Sequence, residues 1–416
     1  MRIKEICDYV SRGATPDYVD ESPYKVMNQA TFSKGWLDES NVRYTSREVK
    51  EAQIRKGDLL MASTGGGVLG KVFYYDSDDS YFYADSHVSI LRNSKAKHLM
   101  KYLYYIFSIK YEEINATMVK GSTNQTELQR NYLLAYEIGI PSLSAQQRIV
   151  NYLDEILAKI DERIAVLEMQ QDAYARLKKS IINQTVTRGL NPNVLLKDSG
   201  IKWIGLIPEH WERFRLKDLG IMYGGLTGKS GDDFRCDDET KTKPYVPFTN
   251  VLNNTIVDND NFHYVVMGEN EQQNQVKTND LLFLMSSEDY ESIAKSAVVV
   301  GNPGEVYLNS FCRGLRITNR NCYAPFINYQ LNSEKYRDAL RFEARGFTRI
   351  NIKIDRVASQ FVSLPPFSEQ QAIAIYLDDK CAKIDAAIEN IRKQIDASKR
   401  LKRALINEVI TGQRAV

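Results

Sequence analysis

The chain has 416 residues, 43% of them hydrophobic and 26% charged, and its formal net charge is +2. This profile is typical of a globular protein with about two domains and excludes a polycation, so a nucleic-acid surface would have to be local. Five cysteines without a CxxC pair and four scattered histidines disfavour a zinc site or disulfide framework. Without a signal peptide or an apolar stretch of roughly 20 residues, we expect a cytoplasmic protein with no membrane contact.

The first notable string is STGGGVLGK at residues 63–71, because Gly65–Lys71 matches the GxxxxGK core of a nucleotide-binding loop. Such a loop requires a helix after it and Ser or Thr directly after the lysine. Here Val72 follows, and the string VFYYD favours a strand. We therefore expect a strand, a glycine loop and a second strand, which disfavours an ATP site.

Residues 141–187 and 365–411 are two copies of one segment. They align without a gap at an offset of 224, with 22 identical pairs in 47 positions. Prolines before each copy and apolar residues at three- and four-residue steps predict one long helix of about 43 residues, roughly 65 Å in length, with N-caps at Ser144 and Ser368. A helix of this kind needs a packing partner, and the other copy is the simplest one. The expected residues of this interface are Leu153, Ile160, Leu167, Leu177, Leu377, Ile384, Ile391 and Leu401.

Each helix follows a globule with period-two strand patterns, short helical patterns and turn residues, which indicate a mixed α/β domain. The expected fold is therefore of the α+β class: two mixed domains, separated and followed by two long helices that pair as an antiparallel coiled coil. The whole chain is an internal repeat with approximate two-fold symmetry. The predicted segments are a first domain (1–140), a central helix (141–190), a docked linker (191–213), a second domain (214–364) and a C-terminal helix (365–416).

The sequence contains no GxSxG, HExxH or GxGxxG motif and no NPPY-like methyltransferase motif. Glu239-Thr240-Lys241 matches the E-x-K of carboxylate–lysine nucleases, but it stands in a polar stretch and such triplets are common. Two alternatives to DNA reading stay open at this point. One is an enzyme, a nuclease using Glu239 and Lys241 or an NTPase using Lys71, and the other is a coiled-coil scaffold.

Polar loops that contain glycine occur in both globules, and they carry the residue types that bind phosphates and base edges. Because such loops recur in two equivalent domains, we expect them to contact DNA. The candidate DNA-binding residues are Arg12, Thr15, Lys34, Ser63, Thr64, Lys71, Lys120, Ser122, Thr123, Asn124, Gln125, Lys229, Arg313, Arg345, Thr348, Arg349 and Asn351.

Several strings carry a family resemblance over nearly the whole chain. The helix starts PSLSAQQRIVNYLDEILAKID and PPFSEQQAIAIYLDDKCAKIDAAI, the helix ends LKKSIINQTVTRG and LKRALINEVITGQ, and IGLIPEHW before the second globule are similar to specificity subunits of type I restriction–modification enzymes. The resemblance implies two target-recognition domains, each reading one half of a split, asymmetric target on double-stranded DNA, with the helices as a ruler between the half-sites.

The same resemblance implies partners and locates the chemistry in them. Two modification subunits would hold the helices and methylate adenine N6 with base flipping, and restriction subunits would supply the motor and nuclease. S-adenosylmethionine, ATP and magnesium are expected in those subunits. For this chain we expect no catalytic residue, no metal and no bound cofactor.

Overall fold

The fold is that of a computed structural model, which describes residues 1–95, 97–120, 126–235 and 241–416. The chain forms two compact units: unit 1 is Met1–Glu168 with Lys393–Val416, and unit 2 is Met169–Arg392. Each unit therefore combines one globule with the first part of one long helix and the last part of the other. The five segments predicted from the sequence remain a prediction.

Unit 1 contains short helices and two four-stranded sheets. Its helices are α1 (Ile3–Ile6), α2 (Gln29–Phe32), α3 (Met100–Ser108), α4 (Tyr111–Thr117), α5 (Arg130–Ala135) and the start of α6 (Leu143–Arg188). Its strands are β1 (Tyr9–Arg12), β2 (Tyr18–Val19), β3 (Lys25–Met27), β4 (Arg43–Thr45), β5 (Leu59–Ala62), β6 (Val72–Tyr74), β7 (Phe82–Ala84), β8 (Val88–Arg92), β9 (Val119–Lys120) and β10 (Glu127–Leu128). The sheet orders are β1-β8-β5-β6 and β2-β4-β3-β7.

Unit 2 repeats this plan. Its strands are β11 (Leu196–Asp198), β12 (Leu206–Pro208), β13 (Glu212–Arg215), β14 (Gly220–Gly224), β15 (Thr242–Val246), β16 (His263–Val266), β17 (Asp280–Leu284), β18 (Ser286–Ser287), β19 (Ser296–Val298), β20 (Tyr307–Leu308), β21 (Cys312–Ile317), β22 (Ile350–Asn351) and β23 (Phe361–Leu364). Its helices are α7 (Leu216–Leu219), α8 (Phe248–Asn253), α9 (Ala324–Asn332), α10 (Glu334–Glu343), α11 (Ile354–Ala358) and the start of α12 (Phe367–Ile410). The sheet β14-β21-β17-β19 corresponds to β1-β8-β5-β6, and β16-β15-β20 is the smaller second sheet.

Buried ion pairs mark the equivalence of the two larger sheets. Arg92 pairs with Asp58 at 2.6 Å in unit 1, and Arg316 pairs with Asp280 at 2.8 Å in unit 2. Both aspartates are almost fully buried and stand at the start of the central strand. Since breaking such a pair leaves an uncompensated buried charge, the two pairs hold the same strands together in both globules. The predicted mixed α/β class and internal repeat are confirmed.

The glycine loop at residues 63–71 connects strands β5 and β6. The two strands are antiparallel neighbours, with Met61 opposite Val72. A strand rather than a helix therefore follows Lys71, as predicted. The phosphate-binding arrangement of a glycine loop followed by a helix N-terminus is not formed here.

The long helices pair in antiparallel fashion inside each unit. Lys402 contacts Asp161 at 2.6 Å in unit 1, and Lys178 contacts Asp385 at 2.6 Å in unit 2. These two ion pairs are related by the sequence offset of 224 in both partners. In unit 1 the start of α6 and the end of α12 share one hydrophobic core, which contains Leu153 and Leu405. The predicted antiparallel coiled coil is confirmed.

Two of the eight residues predicted for the subunit and coiled-coil interface lie outside the buried stripe between the helices. Leu177 is 47% exposed and Leu401 is 51% exposed, whereas the other six leucines and isoleucines are buried. The apolar stripe advances in alternating steps of four and three residues, and these steps lead to Lys178 and Lys402 instead. Each lysine stem follows the stripe and its ammonium reaches the aspartate of the opposite helix.

The predicted N-caps are also wrong, because both long helices begin before the serines. Helix α6 begins at Leu143, and the hydroxyl of Ser142 accepts a hydrogen bond from the amide of Ala145 at 3.3 Å. Helix α12 begins at Phe367, directly after two prolines. Ser144 and Ser368 therefore lie inside the first turn.

A buried glutamine in each long helix joins it to the globule. The Gln146 side chain accepts from the Leu99 amide at 2.9 Å and donates to the Pro141 carbonyl at 2.9 Å. Gln370 does the same with Tyr323 and Pro365, both at 2.8 Å. Leu99 and Tyr323 are the N-cap residues of α3 and α9. Each glutamine thus supplies a partner to an otherwise unpaired amide at a helix start.

The predicted docked linker is part of unit 2. Strands β11 and β12 form a hairpin, Trp203 lies in the connection between them, and Trp211 follows β12. The ring centroids of Trp203 and Tyr336 are 4.8 Å apart, and those of fully buried Trp211 and Phe326 are 5.9 Å apart. Both pairs are edge to face. The packing role predicted for both tryptophans is confirmed.

Candidate nucleic-acid interface

Each unit has the same backbone construction at one end of its larger sheet. In unit 1, Thr64 bridges to Glu127, and the Leu128 amide donates to the Ser63 carbonyl at 2.8 Å. In unit 2, β18 pairs with β22, with Ser286 opposite Asn351. Glu127 and Asn351 are related by the 224-residue offset. The paired residues Glu127 and Asn351 therefore stand in equivalent places in the two units.

In unit 2 this construction forms a small polar hollow with a volume of ≈ 370 Å³. We call it the Arg349 hollow, and its lining residues are Met285, Ser286, Ser310, Phe311, Arg313, Arg349, Asn351 and Ile352. Arg349 donates from Nε to the Ser286 hydroxyl at 2.8 Å, and its guanidinium lies 4.4 Å from the ring centre of Phe311. A stacked, hydrogen-bonded guanidinium has little freedom left, so its remaining N–H groups are held ready for an acceptor.

The hairpin that carries Arg349 is itself closely defined. Arg345 and Asn351 exchange two backbone hydrogen bonds, of 2.9 and 2.8 Å. Between them, Gly346 has φ +146°, and a Cβ there would lie 2.1 Å from the Arg349 carbonyl oxygen. Only glycine fits that position without a backbone shift. The Tyr290 hydroxyl donates to the Gly346 carbonyl at 3.1 Å and holds the hairpin from the side.

Buried Arg337 supports the segment that contributes Tyr290. It donates from Nη2 to the carbonyls of Glu291 at 2.8 Å and Ile293 at 2.6 Å. Burial lowers the pKa of Arg337 to about 10. At neutral pH the guanidinium still carries its charge. Arg337 is thus a positioning residue with no access to a ligand, and its role was not visible in the sequence because its partners lie more than 40 residues away.

The equivalent place in unit 1 carries different side chains. The Thr64 hydroxyl hydrogen-bonds Nδ1 of His87 at 2.7 Å and donates to Oε1 of Gln29 at 3.2 Å. Arg12 donates from Nη2 to the Leu128 carbonyl at 3.3 Å. Lys120 lies 5.8 Å from the ring centre of Tyr132. Unit 1 therefore presents His87 and Gln29 beside Thr64, whereas unit 2 presents Arg349 and Phe311 beside Ser286.

Each unit also has an arginine at this end of its larger sheet, but the arginine stands on a different strand in each. In unit 1, Arg12 of β1 lies opposite Ser89 of β8. At the equivalent register in unit 2, Gly224 of β14 lies opposite Arg313 of β21. Arg313 donates to the carbonyls of Ser310 and Cys312 and remains partly exposed. The two units thus place a cation on different strands at the same end of the sheet.

Two predicted DNA contacts are wrong, because their side chains are internal. Ser63 is fully buried, and its hydroxyl hydrogen-bonds that of Ser89 at 2.6 Å. Lys229 is covered, pairs with Glu271 and donates to the Val266 carbonyl at 2.6 Å. The hydrogen bond from this ammonium lowers the pKa of Glu271 to about 2.

The remaining candidates fall into three groups. Lys34 and Lys71 line a separate hollow of unit 1, ≈ 1120 Å³ in volume, together with Trp36, and Lys34 also pairs with Asp38 at 2.7 Å. The exposed candidates are Thr15, Lys120, Arg345, Thr348, Arg349 and Asn351. Ser122, Thr123, Asn124 and Gln125 lie outside the described residues, as does Glu239 of the E-x-K triplet.

Comparison with known proteins identifies the family. The family model for the type I restriction modification DNA specificity domain matches residues 1–168 and 208–397. The chain belongs to this family. Each of the two matches covers one globule and part of a long helix, so this specificity-domain chain contains the domain twice.

Relatives and solved structures agree with this assignment. The chain is 24% identical over 213 residues to the type I restriction enzyme EcoKI specificity subunit of Escherichia coli (strain K12), and this covers 50% of the chain and 44% of that relative. Two solved structures share the fold. A chain from a study of complex assembly and conformational transition of the type I R-M system has a TM-score of 0.70 at 14% identity, covering 99% of this chain and 96% of that one. The HsdS subunit from Thermoanaerobacter tengcongensis has a TM-score of 0.54 at 16% identity, covering 100% and 96%.

Within the ranges that the structure describes, no three His, Cys, Asp or Glu side chains form a group that could hold a metal ion. Over the same ranges, none of the helices combines the length and apolarity needed to cross a bilayer.

Proposed function

We propose that this chain is the DNA-reading subunit of a type I restriction–modification complex and that it recognises a split, asymmetric target on double-stranded DNA. The observation that carries the proposal is the repeated strand pairing, Thr64 with Glu127 and Ser286 with Asn351, which has different side chains beside it in the two units. Arg349 on Phe311 and Thr64 on His87 offer different hydrogen-bonding groups to a groove. Two such sites in one chain suit two different half-sites.

In such a complex the partner subunits catalyse the reactions. Two modification subunits bind the long helices and methylate adenine N6 with S-adenosylmethionine, and restriction subunits use ATP and magnesium. This chain contributes recognition and the spacing of the half-sites and is not itself an enzyme. Its sequence has none of the methyltransferase or hydrolase motifs sought above, which supports this division of labour.

Methylation mapping tests the proposal directly. Single-molecule sequencing is applied to the DNA of cells that express this chain with its neighbouring modification subunit, and to cells that lack only this chain. We expect an interrupted, asymmetric methyladenine motif that disappears without the chain. If the purified complex neither methylates nor binds DNA with the steep salt dependence of phosphate contacts, the scaffold alternative is favoured. ATP hydrolysis or DNA cleavage by the purified chain alone would favour the enzyme alternative.

We predict that Arg349→Ala changes one half of the methylated motif and leaves the other half intact. The guanidinium is held by Ser286 and Phe311 at the hollow, and the loss of a good bidentate base contact costs about 1–3 kcal/mol of discrimination. The measurement is the same methylation map, made with the variant. Arg320→Ala is the matched control, since this exposed arginine lies beyond the other end of β21. An unchanged motif in the Arg349 variant would contradict the assignment of the hollow.

A further inference from the structure

One aromatic side chain of unit 2 stands almost entirely in water. Phe347 is 97% exposed, the highest value among the large hydrophobic residues that the structure describes. It lies at the tip of the hairpin that carries Arg345 and Arg349. A phenylalanine left in water forgoes the free energy of burial, which a partner that covers the ring would supply.

The exposure follows from a defined backbone rather than from a loose tip. Paired hydrogen bonds between Arg345 and Asn351 close the hairpin, and the conformation of Gly346 turns the chain immediately before the ring. The guanidiniums on either side of Phe347 stack on other rings: that of Arg345 lies 5.9 Å from the ring centre of Phe342, and that of Arg349 lies 4.4 Å from the ring centre of Phe311. The ring of Phe347 therefore projects beyond two cations that already have aromatic supports.

An exposed ring close to two cations suits double-stranded DNA, which has phosphates on the outside and stacked apolar bases inside. Arginines neutralise phosphates on either side, and an apolar side chain enters the base stack between them. The residues next to Phe347 in the hairpin are Arg345, Gly346, Thr348 and Arg349, and the exposed rings of Phe342 and Phe311 each lie against one of these two guanidiniums. The ring is therefore accompanied by cations, which suits a polyanion better than an apolar protein surface.

We propose that Phe347 is a wedge that inserts between adjacent base pairs in the half-site read by unit 2 and partly unstacks them. This inference rests on the proposed function, since it requires DNA at the Arg349 hollow. Insertion at one step opens the stack and kinks the duplex, so the half-site would be selected partly for a step that unstacks easily.

The wedge belongs to one half of the chain. In unit 1 the sequence between Lys120 and Thr126 is Gly-Ser-Thr-Asn-Gln, which contains no aromatic residue. Only one half-site should therefore be unstacked by this route. A symmetric distortion of both half-sites would count against the inference.

The experiment uses the complex with the modification subunit and a duplex that contains the mapped target. 2-Aminopurine replaces in turn each adenine of the two half-sites except the adenines that are methylated, because a flipped target base is itself unstacked. Its fluorescence rises where stacking is lost. We expect a rise at one step in the half-site of unit 2 for the wild-type complex and for Phe347→Leu, which keeps an apolar wedge. The rise should disappear with Phe347→Ala and persist with the control Tyr264→Ala, since Tyr264 is an exposed aromatic residue on β16.

A rescue measurement separates the wedge from other roles of the ring. The affinity of Phe347→Ala for the paired duplex should fall by about 10-fold, and a mismatch at the affected step should restore it because unstacking no longer costs free energy. Equal fluorescence and affinity for wild type and Phe347→Ala would overturn the inference, as would a variant that fails only to bind the modification subunit. If the wild-type complex binds no duplex at all, the proposed function itself fails.

Discussion

Replacing Leu377 by alanine is expected to lower the free energy of unfolding of unit 2 by about 3 kcal/mol. Leu377 of α12 is fully buried. It belongs to one hydrophobic core with Ile373 of the same helix and Val186 of α6, the opposite helix. Removing its branched end leaves a cavity between the two helices, so both transfer free energy and packing are lost. Urea unfolding, followed by hydrogen exchange resolved between the two units, measures the effect.

Leu401→Ala in the same helix is the matched control. This leucine was also predicted to lie in the interface, but it is half exposed. Its replacement should change stability by less than about 0.5 kcal/mol, the usual range for surface positions. Similar losses for the two variants would mean that the stripe of α12 passes through Leu401 and that the assignment of Lys402 to it is wrong.

Replacing Gln146 by leucine is expected to destabilise unit 1 by about 3 kcal/mol, although the new side chain is apolar and similar in size. The change leaves the Leu99 amide and the Pro141 carbonyl without their partner at a buried helix start. Hydrogen exchange should show that α3 loses protection first. Gln370→Leu should have the same effect on α9 in unit 2.

Gln147→Leu serves as the control for this pair of variants. Gln147 is the adjacent residue, is exposed, and hydrogen-bonds only to the side chain of Asn151 among the described residues. We expect a change of less than about 0.5 kcal/mol. Unaltered protection of α3 in the Gln146 variant would show that the glutamine is not the main tie between helix and globule.

The architecture could be predicted because its signals are local or repeated. The three- and four-residue spacing of apolar residues specifies a helix over neighbouring positions, and the offset of 224 states that two such helices are copies. The pairing of the two helices with each other follows from these two facts. The strand after Lys71 was equally predictable, since Val72 and the aromatic residues behind it favour an extended chain.

The side-chain details could not be predicted, because they depend on distant partners. Leu177 stands one position from the stripe, and only the aspartate of the opposite helix explains why Lys178 occupies it. Ser63 looks like a solvent-facing loop residue until Ser89, 26 residues away, covers it. Arg349 was named as a candidate from its loop alone, whereas its aromatic support, Phe311, is distant in sequence.

The composition of unit 1 has a consequence for the order in which the protein is made. Its core includes Leu405, Ile406 and Val409, which are translated after the whole of unit 2, since unit 2 is complete once Arg392 has emerged. The globule that is synthesised first is therefore completed last. The apolar face of its long helix stays uncovered while more than half of the chain is translated. A nascent chain in this state exposes Leu153 and Leu157, so we expect chaperones to engage the early part of the chain until translation ends.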